Sequence, residues 1–258
     1  MKERDDIVVS VIIPLYNEEQ RLHKTFAAIE QFGFTHGVHP FEIVFVDDGS
    51  RDATVKLVRA FIANFLGARL VSHPKNLGKG AAVRTGMLAA RGAWRLFADA
   101  DMATDLSEFR KFIPFFSSGA PVIIGSRRIY GAEVLVHQSR LREIMGGVYT
   151  MLANFFTGAS VSDFTCGFKC FRADAAHAIF SRSRIARWSY DAEILFLAHR
   201  LGFAIQEVPV LWRNDGATRV RLWKDAPRAF FDLLLLRVYT AIGRYRLGAV
   251  EHISRNIS

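Results

Sequence analysis

The sequence contains few cysteines and no segment with the pattern of a secretory signal. Cys166 and Cys170 are too few for a disulfide framework, and a single CxxxC pair without a second pair of Cys or His residues makes a poor zinc site. We therefore expect two reduced thiols in a cytosolic protein. Residues 1–6 lead directly into a strand-like stretch, without the apolar segment that a signal peptide needs.

Two apolar regions approach the pattern of a transmembrane helix, which needs about 20 consecutive, predominantly apolar residues. Residues 144–162 carry no charge but contain Asn154 and several Ser, Thr and Gly residues. Residues 229–242 are interrupted by Asp232 and Arg237. We expect neither region to span a membrane.

The charge and composition of the chain narrow the kinds of partner to consider. The 258 residues carry a net charge of +9, and 50% of them are hydrophobic. A chain this apolar can bury enough surface to fold, which excludes disorder as its main state. The positive charge is compatible with nucleic acid, an anionic membrane surface or phosphorylated substrates. The eight histidines show no spacing typical of a metal site.

Apolar, β-branched segments alternate with segments of helical spacing in the first half of the chain. The predicted strands are residues 8–14, 41–46, 69–72, 94–98 and 122–125. The predicted helices are residues 18–32, 54–66 and 80–90. This alternation predicts an α/β fold with a mostly parallel sheet and helices on both faces. No linker or internal repeat is visible before residue 225.

Acidic residues follow three of these strands. In a parallel sheet the carboxyl ends of the strands share one rim, which is where ligands bind. Asp99 and Asp101 are two residues apart, so in extended geometry both side chains face the same side and can share a cation. Mg²⁺ prefers one or two carboxylates together with water and substrate phosphates. The alternative is that this pair and Asp47-Asp48-Gly49-Ser50 are ordinary surface turns.

Several strings, in this order and spacing, carry a family resemblance. They are VIIPLYNE at 11–18, VDDGS at 46–50, NLGKG at 76–80, DAD at 99–101, GSRR at 125–128, SDFTCGFKCF at 162–171 and RWSYDAEI at 187–194. The chain resembles glycosyltransferase family 2, whose members have the Rossmann-like GT-A fold. Within that family it resembles the polyprenyl-phosphate branch. DADMAT at 99–104 and NDGATRVRL at 214–222 are more similar to dolichyl-phosphate β-glucosyltransferases than to the mannosyl enzymes.

The resemblance implies roles for named residues. The implied binding residues for the sugar nucleotide and phosphate groups are Pro14, Tyr16, Glu18, Asp47, Asp48, Lys79, Asp99, Arg213 and Arg219. Asp99 and Asp101 would hold Mg²⁺ or Mn²⁺ against the diphosphate of the donor, which is expected to be UDP-glucose, and Asp101 would be catalytic. Lys79 is not a Walker A lysine, because Gly80 follows it. The mannosyl branch has Gln where this chain has Ala103, so a third side-chain metal ligand is missing or comes from elsewhere.

The chemistry of the acceptor decides which further residues are catalytic. A hydroxyl acceptor needs a general base, for which Asp191 is the candidate. A phosphate monoester has a second pKa of about 6 and is already largely a dianion at neutral pH. Such an acceptor needs cations to hold it, and Arg127 is the catalytic candidate, with Arg213 and Arg219 as further phosphate contacts.

The C-terminal part is predicted to differ from the domain that precedes it. We expect a GT-A domain over residues 1–226 and a basic amphipathic helical segment over 227–258, with Pro227 in the first helical turn. One apolar stripe consists of Phe231, Leu234, Leu235, Val238, Ile242 and Tyr245, with arginines at both of its borders. The segment either lies in a membrane interface or packs on the core of the domain.

Three functions remain open. The first is an inverting, metal-dependent glycosyltransferase that moves glucose to a polyprenyl phosphate, dolichyl or undecaprenyl, as a peripheral protein at the cytoplasmic membrane face. The second is a family 2 transferase with a saccharide or other hydroxyl acceptor. The third is a non-catalytic module that binds nucleic acid or an anionic surface. The third is disfavoured because Lys and Arg are spread along the chain and the rim motifs are acidic.

Overall fold

The computed structural model describes residues 8–35, 41–214 and 222–245. The strands in these ranges are β1 Val9–Leu15, β2 Phe41–Asp47, β3 Ala68–Ser72, β4 Trp94–Ala98, β5 Val122–Ser126, β6 Glu133–Val136, β7 Phe168–Arg172, β8 Ile205–Pro209 and β9 Leu211–Arg213. The helices are α1 Leu22–Thr35, α2 Thr54–Asn64, α3 Lys79–Ala89, α4 Arg140–Thr157, α5 Ala173–Phe180, α6 Tyr190–Arg200 and α7 Leu222–Ala241. The five predicted strands agree with β1 to β5 to within one residue at each end.

Seven strands form one mostly parallel sheet in the order β3-β2-β1-β4-β7-β5-β8. The strand β1 runs parallel to β2 and β4, β2 runs parallel to β3, and β5 runs parallel to β8. Only β7 in this sheet is antiparallel to its neighbours, β4 and β5. The strands β6 and β9 form a second, two-stranded parallel sheet, which the sequence did not predict.

Helices cover both faces of the large sheet. The side chains of β1 alternate between the two layers: Ile12 packs into the layer under α3, α5 and α6, whereas Val11 and Ile13 pack into the layer under α1 and α2. This period of two is the geometry of a strand buried on both faces. It explains why the segment VSVIIPL is apolar almost throughout. The first helix was predicted to begin at Glu18 but begins at Leu22. Residues 18–21 form a turn, in which the backbone N–H groups of Arg21 and Leu22 donate to the carbonyl of Glu18.

The C-terminal helix α7 packs on the domain through a face that the sequence did not single out. Leu233 and Leu236 are completely buried and belong to the same core as α4 and α6, whereas Phe231 and Val238 of the predicted stripe are exposed. The predicted division between residues 226 and 227 falls inside α7, and Pro227 lies within the helix rather than in its first turn. Pro227 has no N–H and donates no helical hydrogen bond, and α7 nevertheless continues to Ala241.

None of the helices in the described ranges has the length and hydropathy that crossing a bilayer requires.

Candidate active site

The loops that follow β1, β2 and β4 meet at one edge of the sheet. Leu15 and Asp47 are paired in register at the ends of β1 and β2, and the backbone N–H of Asp48 donates to the carbonyl of Leu15 over 2.8 Å. The two motifs at these strand ends are therefore joined directly. Pro14 lies one pair earlier, opposite Val46, where it is partly buried in the strand.

Tyr16 and Asp47 face one polar cavity of about 230 Å³. Its other lining residues come from the loops after β2 and β3: Gly49, Ser50, Arg51, His73, Pro74, Lys75 and Asn76. The carboxylate of Asp47 accepts hydrogen bonds from the backbone N–H of Ser50 over 3.1 and 3.3 Å, which fixes the side chain at the cavity wall. The structure thus brings two of the predicted nucleotide contacts to one recess.

Asp48 serves the protein rather than the cavity. Its two carboxylate oxygens accept hydrogen bonds from the backbone N–H groups of Leu77 and Gly78 over 2.9 and 2.8 Å, and the ring of His73 lies 2.8 Å away. Asp48 is 2% exposed. These contacts hold the loop that leads into α3, so Asp48 has a supporting task besides the ligand contact that the motif predicts.

Glu18 also has its main contacts within the protein. Its backbone N–H donates to the hydroxyl of Thr54 over 2.8 Å, and its carboxylate lies 3.5 Å from the guanidinium of Arg21. Glu18 therefore links the start of α1 to the start of α2. It is absent from the lining of the cavity that holds Tyr16 and Asp47.

Lys79 opens α3 and reaches across the rim to Asp99. The Lys79 ammonium lies 2.7 and 2.8 Å from the two carboxylate oxygens of Asp99. Burial disfavours the charged ammonium, but Asp99 and Asp191 outweigh it and raise the pKa of Lys79 above its ordinary value. Lys79 is therefore a permanent cation placed against the first carboxylate of the DAD motif.

Asp99 and Asp101 form a carboxylate pair that suits a divalent cation. Burial and the neighbouring charge of Asp99 raise the pKa of Asp101, and a bound cation would offset that repulsion. One oxygen of Asp101 accepts a hydrogen bond from the backbone N–H of Ala103 over 3.0 Å. Within residues 8–35, 41–214 and 222–245, no three His, Cys, Asp or Glu side chains converge on a metal position. The protein offers two carboxylates, which fits a metal that takes its remaining ligands from water and a diphosphate.

A glycine makes the room that Asp99 needs. A Cβ atom at residue 167 would lie 2.1 Å from a carboxylate oxygen of Asp99, so only glycine fits there. The backbone N–H of Asp99 also donates to the carbonyl of Gly167 over 3.2 Å. Gly167 stands in the matched string SDFTCGFKCF, but nothing in the sequence pattern connects it with Asp99.

Asp191 is bound to a buried lysine. The ammonium of Lys169, on β7, contacts one carboxylate oxygen of Asp191 and donates to the carbonyl of Cys166 over 2.7 Å. Lys169 is 0% exposed, so Asp191 is its charge partner in the interior. Burial raises the pKa of Asp191, while Lys169 and Lys79 act in the opposite direction. The prediction did not single out Lys169, because its partner Asp191 lies 22 residues away in the sequence.

Arg127 has a partner of its own. Its guanidinium donates to both carboxylate oxygens of Asp163 over 2.7 and 2.8 Å and to the hydroxyl of Thr165 over 2.7 Å. The same group lies over the ring of Trp212, 5.2 Å from the ring centre. Asp163 is 1% exposed. The geometry is that of a buried bidentate ion pair, so the predicted phosphate-binding role of Arg127 has to compete with a structural one.

The neighbouring Arg128 is exposed. Its guanidinium lies against α4 beside Gly146, where a Cβ atom would come within 2.7 Å of Arg128 Nη2. The prediction selected Arg127 from the GSRR string, because it follows the predicted strand 122–125, and did not select Arg128.

The two late arginines are placed differently. Arg213 ends β9, is exposed, and its backbone N–H donates to the carbonyl of Ala103 over 2.8 Å, which puts it beside the DAD motif. Arg219 lies outside the described residues.

Glu193, on α6, accepts hydrogen bonds from the backbone N–H groups of Arg184 and Ile185 and from the hydroxyl of Tyr245, so it has a structural task.

The family model for "Glycosyl transferase family 2" matches residues 10–180 of the chain. Among curated relatives, a "dolichyl-phosphate beta-glucosyltransferase" of Drosophila melanogaster is 33% identical over 97% of this chain and 81% of its own length. Relatives of the same name from Saccharomyces cerevisiae and Homo sapiens are 33% and 31% identical, over 95% and 93% of this chain and 78% of their own lengths.

Solved structures with a similar fold include mannosyl-3-phosphoglycerate synthase from Rubrobacter xylanophilus. The TM-score is 0.68 at 16% identity, and the match covers 96% of this chain and 78% of that one. Glucosyl-3-phosphoglycerate synthase from Mycobacterium tuberculosis, solved with Mn²⁺, uridine diphosphate and glucosyl-3-phosphoglycerate, gives a TM-score of 0.59 at 22% identity over 90% of this chain and 80% of that one.

Proposed function

The chain belongs to glycosyl transferase family 2 and is a glycosyltransferase with a GT-A-like fold, and from this premise we propose that it transfers glucose, with inversion, from UDP-glucose to a polyprenyl phosphate. The observation that carries the proposal is the extent of the similarity to the dolichyl-phosphate β-glucosyltransferases. It covers 93% to 97% of the chain, whereas the family model ends at residue 180. The part beyond the family model, which includes Asp191 and Arg213, is therefore similar as well.

The donor site in this proposal is the rim formed by the ends of β1, β2 and β4. The recess beside Tyr16 and Asp47 suits the nucleoside, and the carboxylate of Asp47 is an acceptor for its polar hydrogens. The DAD motif would lie at the diphosphate. The Mycobacterium tuberculosis structure that shares this fold contains both uridine diphosphate and Mn²⁺, which supports a nucleotide donor and a divalent metal here.

Asp99 and Asp101 would hold Mg²⁺ or Mn²⁺, which when bound neutralises charge on the departing nucleoside diphosphate. Lys79 supplies a second positive charge at the same place, since its ammonium already faces the DAD motif. Gly167 keeps the Asp99 carboxylate in position by leaving it room. Each of these groups stabilises negative charge that develops on the leaving group, which is where electrostatic catalysis is most effective.

For the acceptor, the proposal relies on cationic side chains that bind a phosphate more than on a general base. A phosphate monoester is largely ionised at neutral pH, so the protein has to bring one anion beside another. Arg128 is an exposed guanidinium near the rim, and Arg213 is a second one beside Ala103. Arg127 contacts Asp163, Thr165 and the ring of Trp212, the residue before Arg213, and we call the region around Arg127, Arg128 and Arg213 the acceptor corner. We propose that Arg128 and Arg213 hold the acceptor phosphate.

A hydroxyl acceptor is the second candidate, and one observation favours it. Burial raises the pKa of Asp191, and a raised pKa makes a carboxylate a better general base. Against this, one oxygen of Asp191 is held by Lys169. The two candidates therefore differ in whether Asp191 has to accept a proton.

We propose that the enzyme works as a peripheral protein at the cytoplasmic face of a membrane. A polyprenyl phosphate remains in the bilayer, so the enzyme has to meet it there. Cys166 and Cys170 are both buried free thiols, which fits a reducing compartment.

An assay of donors and acceptors tests the proposal. Full-length protein is incubated with labelled UDP-glucose, UDP-N-acetylglucosamine or GDP-mannose and with vesicles that contain dolichyl or undecaprenyl phosphate, in Mg²⁺, Mn²⁺ or EDTA. We expect glucose label in the organic phase, and its loss in EDTA. Label that appears only in a water-soluble glycan would contradict the polyprenyl-phosphate acceptor.

A further inference from the structure

The helix α4 exposes one apolar stripe along its length. Leu141, Ile144, Val148, Met151 and Phe155 have exposed fractions between 48% and 77%. Their spacing of three and four residues places them on one side of the helix, while Ala153 and Thr157 on the opposite side are buried. From residue 144 to residue 157 this helix carries no charged residue.

The helix α7 shows the same division. Phe230, Phe231, Leu234 and Val238, together with Ile242 just after the helix, are between 37% and 66% exposed. Ala229, Leu233 and Leu236 on the other side are buried in the core. The exposed residues therefore are not the packing surface of α7, which already has a different set of side chains for that purpose.

The two stripes adjoin. The rings of Phe156 and Phe230 meet edge to face with centres 6.1 Å apart, and the guanidinium of Arg237 reaches the carbonyl of Phe155 over 3.5 Å. We call the two sets of exposed residues together the α4–α7 apolar face. Isolated apolar side chains are normal on protein surfaces, but a contiguous group of this kind marks an interaction site.

Charges at the borders of the α4–α7 apolar face point to an anionic partner. At about 100° per residue, Arg228 and Arg237 lie on either side of the α7 stripe, and both are exposed. At the start of α4, Arg140 is exposed beside Leu141. An apolar face with a cationic margin is the pattern of a helix that lies in a bilayer interface, where arginines meet lipid phosphates.

The inner side of α4 reaches the candidate active site. The ring of Tyr149 lies 6.1 Å from that of Trp188, and burial together with the nearby charge of Asp191 raises the pKa of the Tyr149 hydroxyl. Arg128 lies against the same helix at Gly146. One helix thus carries the apolar face on its outer side and touches the acceptor corner on its inner side.

We propose that the α4–α7 apolar face docks the enzyme on an anionic lipid bilayer and thereby sets the acceptor corner, with Arg128, at the level of the lipid phosphates. The choice of a bilayer as the partner rests on the proposed polyprenyl-phosphate acceptor. The predicted interfacial segment consisted of the C-terminal helix alone, whereas the proposed docking surface consists of two helices. It also leaves out Leu235, which is partly buried, and Tyr245, which is buried, and it adds residues of α4.

Vesicle flotation tests the docking without any substrate. The variants Met151→Ser/Phe155→Ser and Phe231→Ser/Val238→Ser each remove two exposed apolar side chains. The control Leu57→Ser/Leu66→Ser removes exposed apolar side chains elsewhere, with exposed fractions of 37% and 100%. On vesicles rich in phosphatidylglycerol, we expect each pair to weaken binding about tenfold or more and the control to bind like the wild type. Arg228→Glu/Arg237→Glu should weaken binding to anionic vesicles and leave binding to neutral ones unchanged.

Activity measurements separate docking from catalysis. The same variants should lose transfer to a long-chain polyprenyl phosphate in vesicles and keep transfer to a short, water-soluble prenyl phosphate such as citronellyl phosphate. Unchanged vesicle binding in both pairs would overturn the docking proposal. The docking proposal would also be overturned if the wild type were a dimer that does not bind vesicles and these substitutions converted the dimer to a monomer. Wild-type vesicle binding without sugar transfer to any prenyl phosphate would contradict the proposed function instead.

Discussion

The ammonium of Lys79 lies 2.7 and 2.8 Å from the two carboxylate oxygens of Asp99, so a monovalent cation already occupies one side of the carboxylate that we propose as a metal ligand. A metal ion that binds the DAD motif has to share Asp99 with Lys79. When the donor is present, its diphosphate offers Lys79 another anion. Lys79 is therefore both a competitor of the free metal and a partner of the metal–nucleotide complex.

Lys79→Ala should strengthen Mn²⁺ binding in the absence of nucleotide and weaken catalysis. A unit charge and a divalent cation about 4 Å apart in water repel each other by about 2 kcal/mol, which corresponds to about a thirtyfold change in metal affinity. We expect Mn²⁺ to bind up to about thirtyfold tighter, as measured by electron paramagnetic resonance, while turnover falls. Lys56→Ala on the exposed side of α2 is the matched control and should change neither. Weaker Mn²⁺ binding in Lys79→Ala would show that Lys79 does not compete for Asp99.

Asp101→Asn should abolish transfer and leave the fold intact. The replacement has nearly the same shape, and its amide oxygen can still accept the hydrogen bond from the backbone N–H of Ala103. What is lost is the negative charge that a metal requires. Initial rates at saturating Mn²⁺ and a thermal melt decide the question. A variant that keeps more than about a tenth of wild-type turnover, a cost of only about 1.4 kcal/mol, would exclude the metal role.

Arg127→Ala should lower the stability of the fold and should also weaken any phosphate binding at this position. Removing the guanidinium leaves the buried carboxylate of Asp163 without its partner, and breaking a buried pair from one side costs about 3–5 kcal/mol. Urea unfolding measures this loss. The double variant Arg127→Met/Asp163→Asn removes both charges and should be markedly more stable than Arg127→Ala. Equal stability of the two variants would show that the pair is not coupled.

The same pair predicts a pH dependence. Burial alone would raise the pKa of Asp163, but the hydrogen bonds and charge of Arg127 outweigh it and hold this pKa below its ordinary value. A lowered folded-state pKa stabilises the protein above the unfolded-state value of about 3.9, and this stabilisation is lost as the pH falls through the folded-state pKa. The free-energy difference between wild type and Asp163→Asn should therefore shrink below about pH 4. A difference that stays constant into acid would contradict the assignment.

Arg128→Ala should raise the Michaelis constant for the lipid phosphate about tenfold and leave stability within about 0.5 kcal/mol of wild type. Arg128 is exposed, so its removal strands no buried charge. Arg110→Ala, also at an exposed arginine, serves as the control. If the Michaelis constant for the lipid phosphate is unchanged while the affinity for UDP-glucose falls, Arg128 belongs to the donor site instead.

The ends of the strands could be predicted, because each predicted strand is an unbroken apolar segment and the polar motif after it marks where the strand stops. The prediction placed Tyr16, Asp47 and Asp99 on one rim for this reason, and β1, β2 and β4 do end at one edge of the sheet. The partners across that rim were not predictable. Gly167 and Lys169 act through contacts with Asp99 and Asp191, which are distant in sequence, and periodicity carries no information about such contacts.

Which face of α7 packs on the core could not be predicted for a similar reason. Around Leu233–Leu236 the helix is apolar on more than one side, so spacing alone identifies two stripes and cannot say which one faces the core. The structure buries Leu233 and Leu236 and exposes Phe231 and Val238. Only the position of α4 and α6 decides between the two.

The most direct test of the whole account compares dolichyl phosphate with dolichol in otherwise identical vesicles. The wild type is assayed beside Lys169→Met/Asp191→Asn, which removes both members of the buried pair and so leaves neither charge alone. We predict that labelled glucose from UDP-glucose enters dolichyl phosphate and not dolichol, and that the folded double variant keeps at least about a tenth of wild-type turnover, because an ionised phosphate requires no base. Transfer to dolichol, or complete loss of transfer in a folded double variant, would contradict the account.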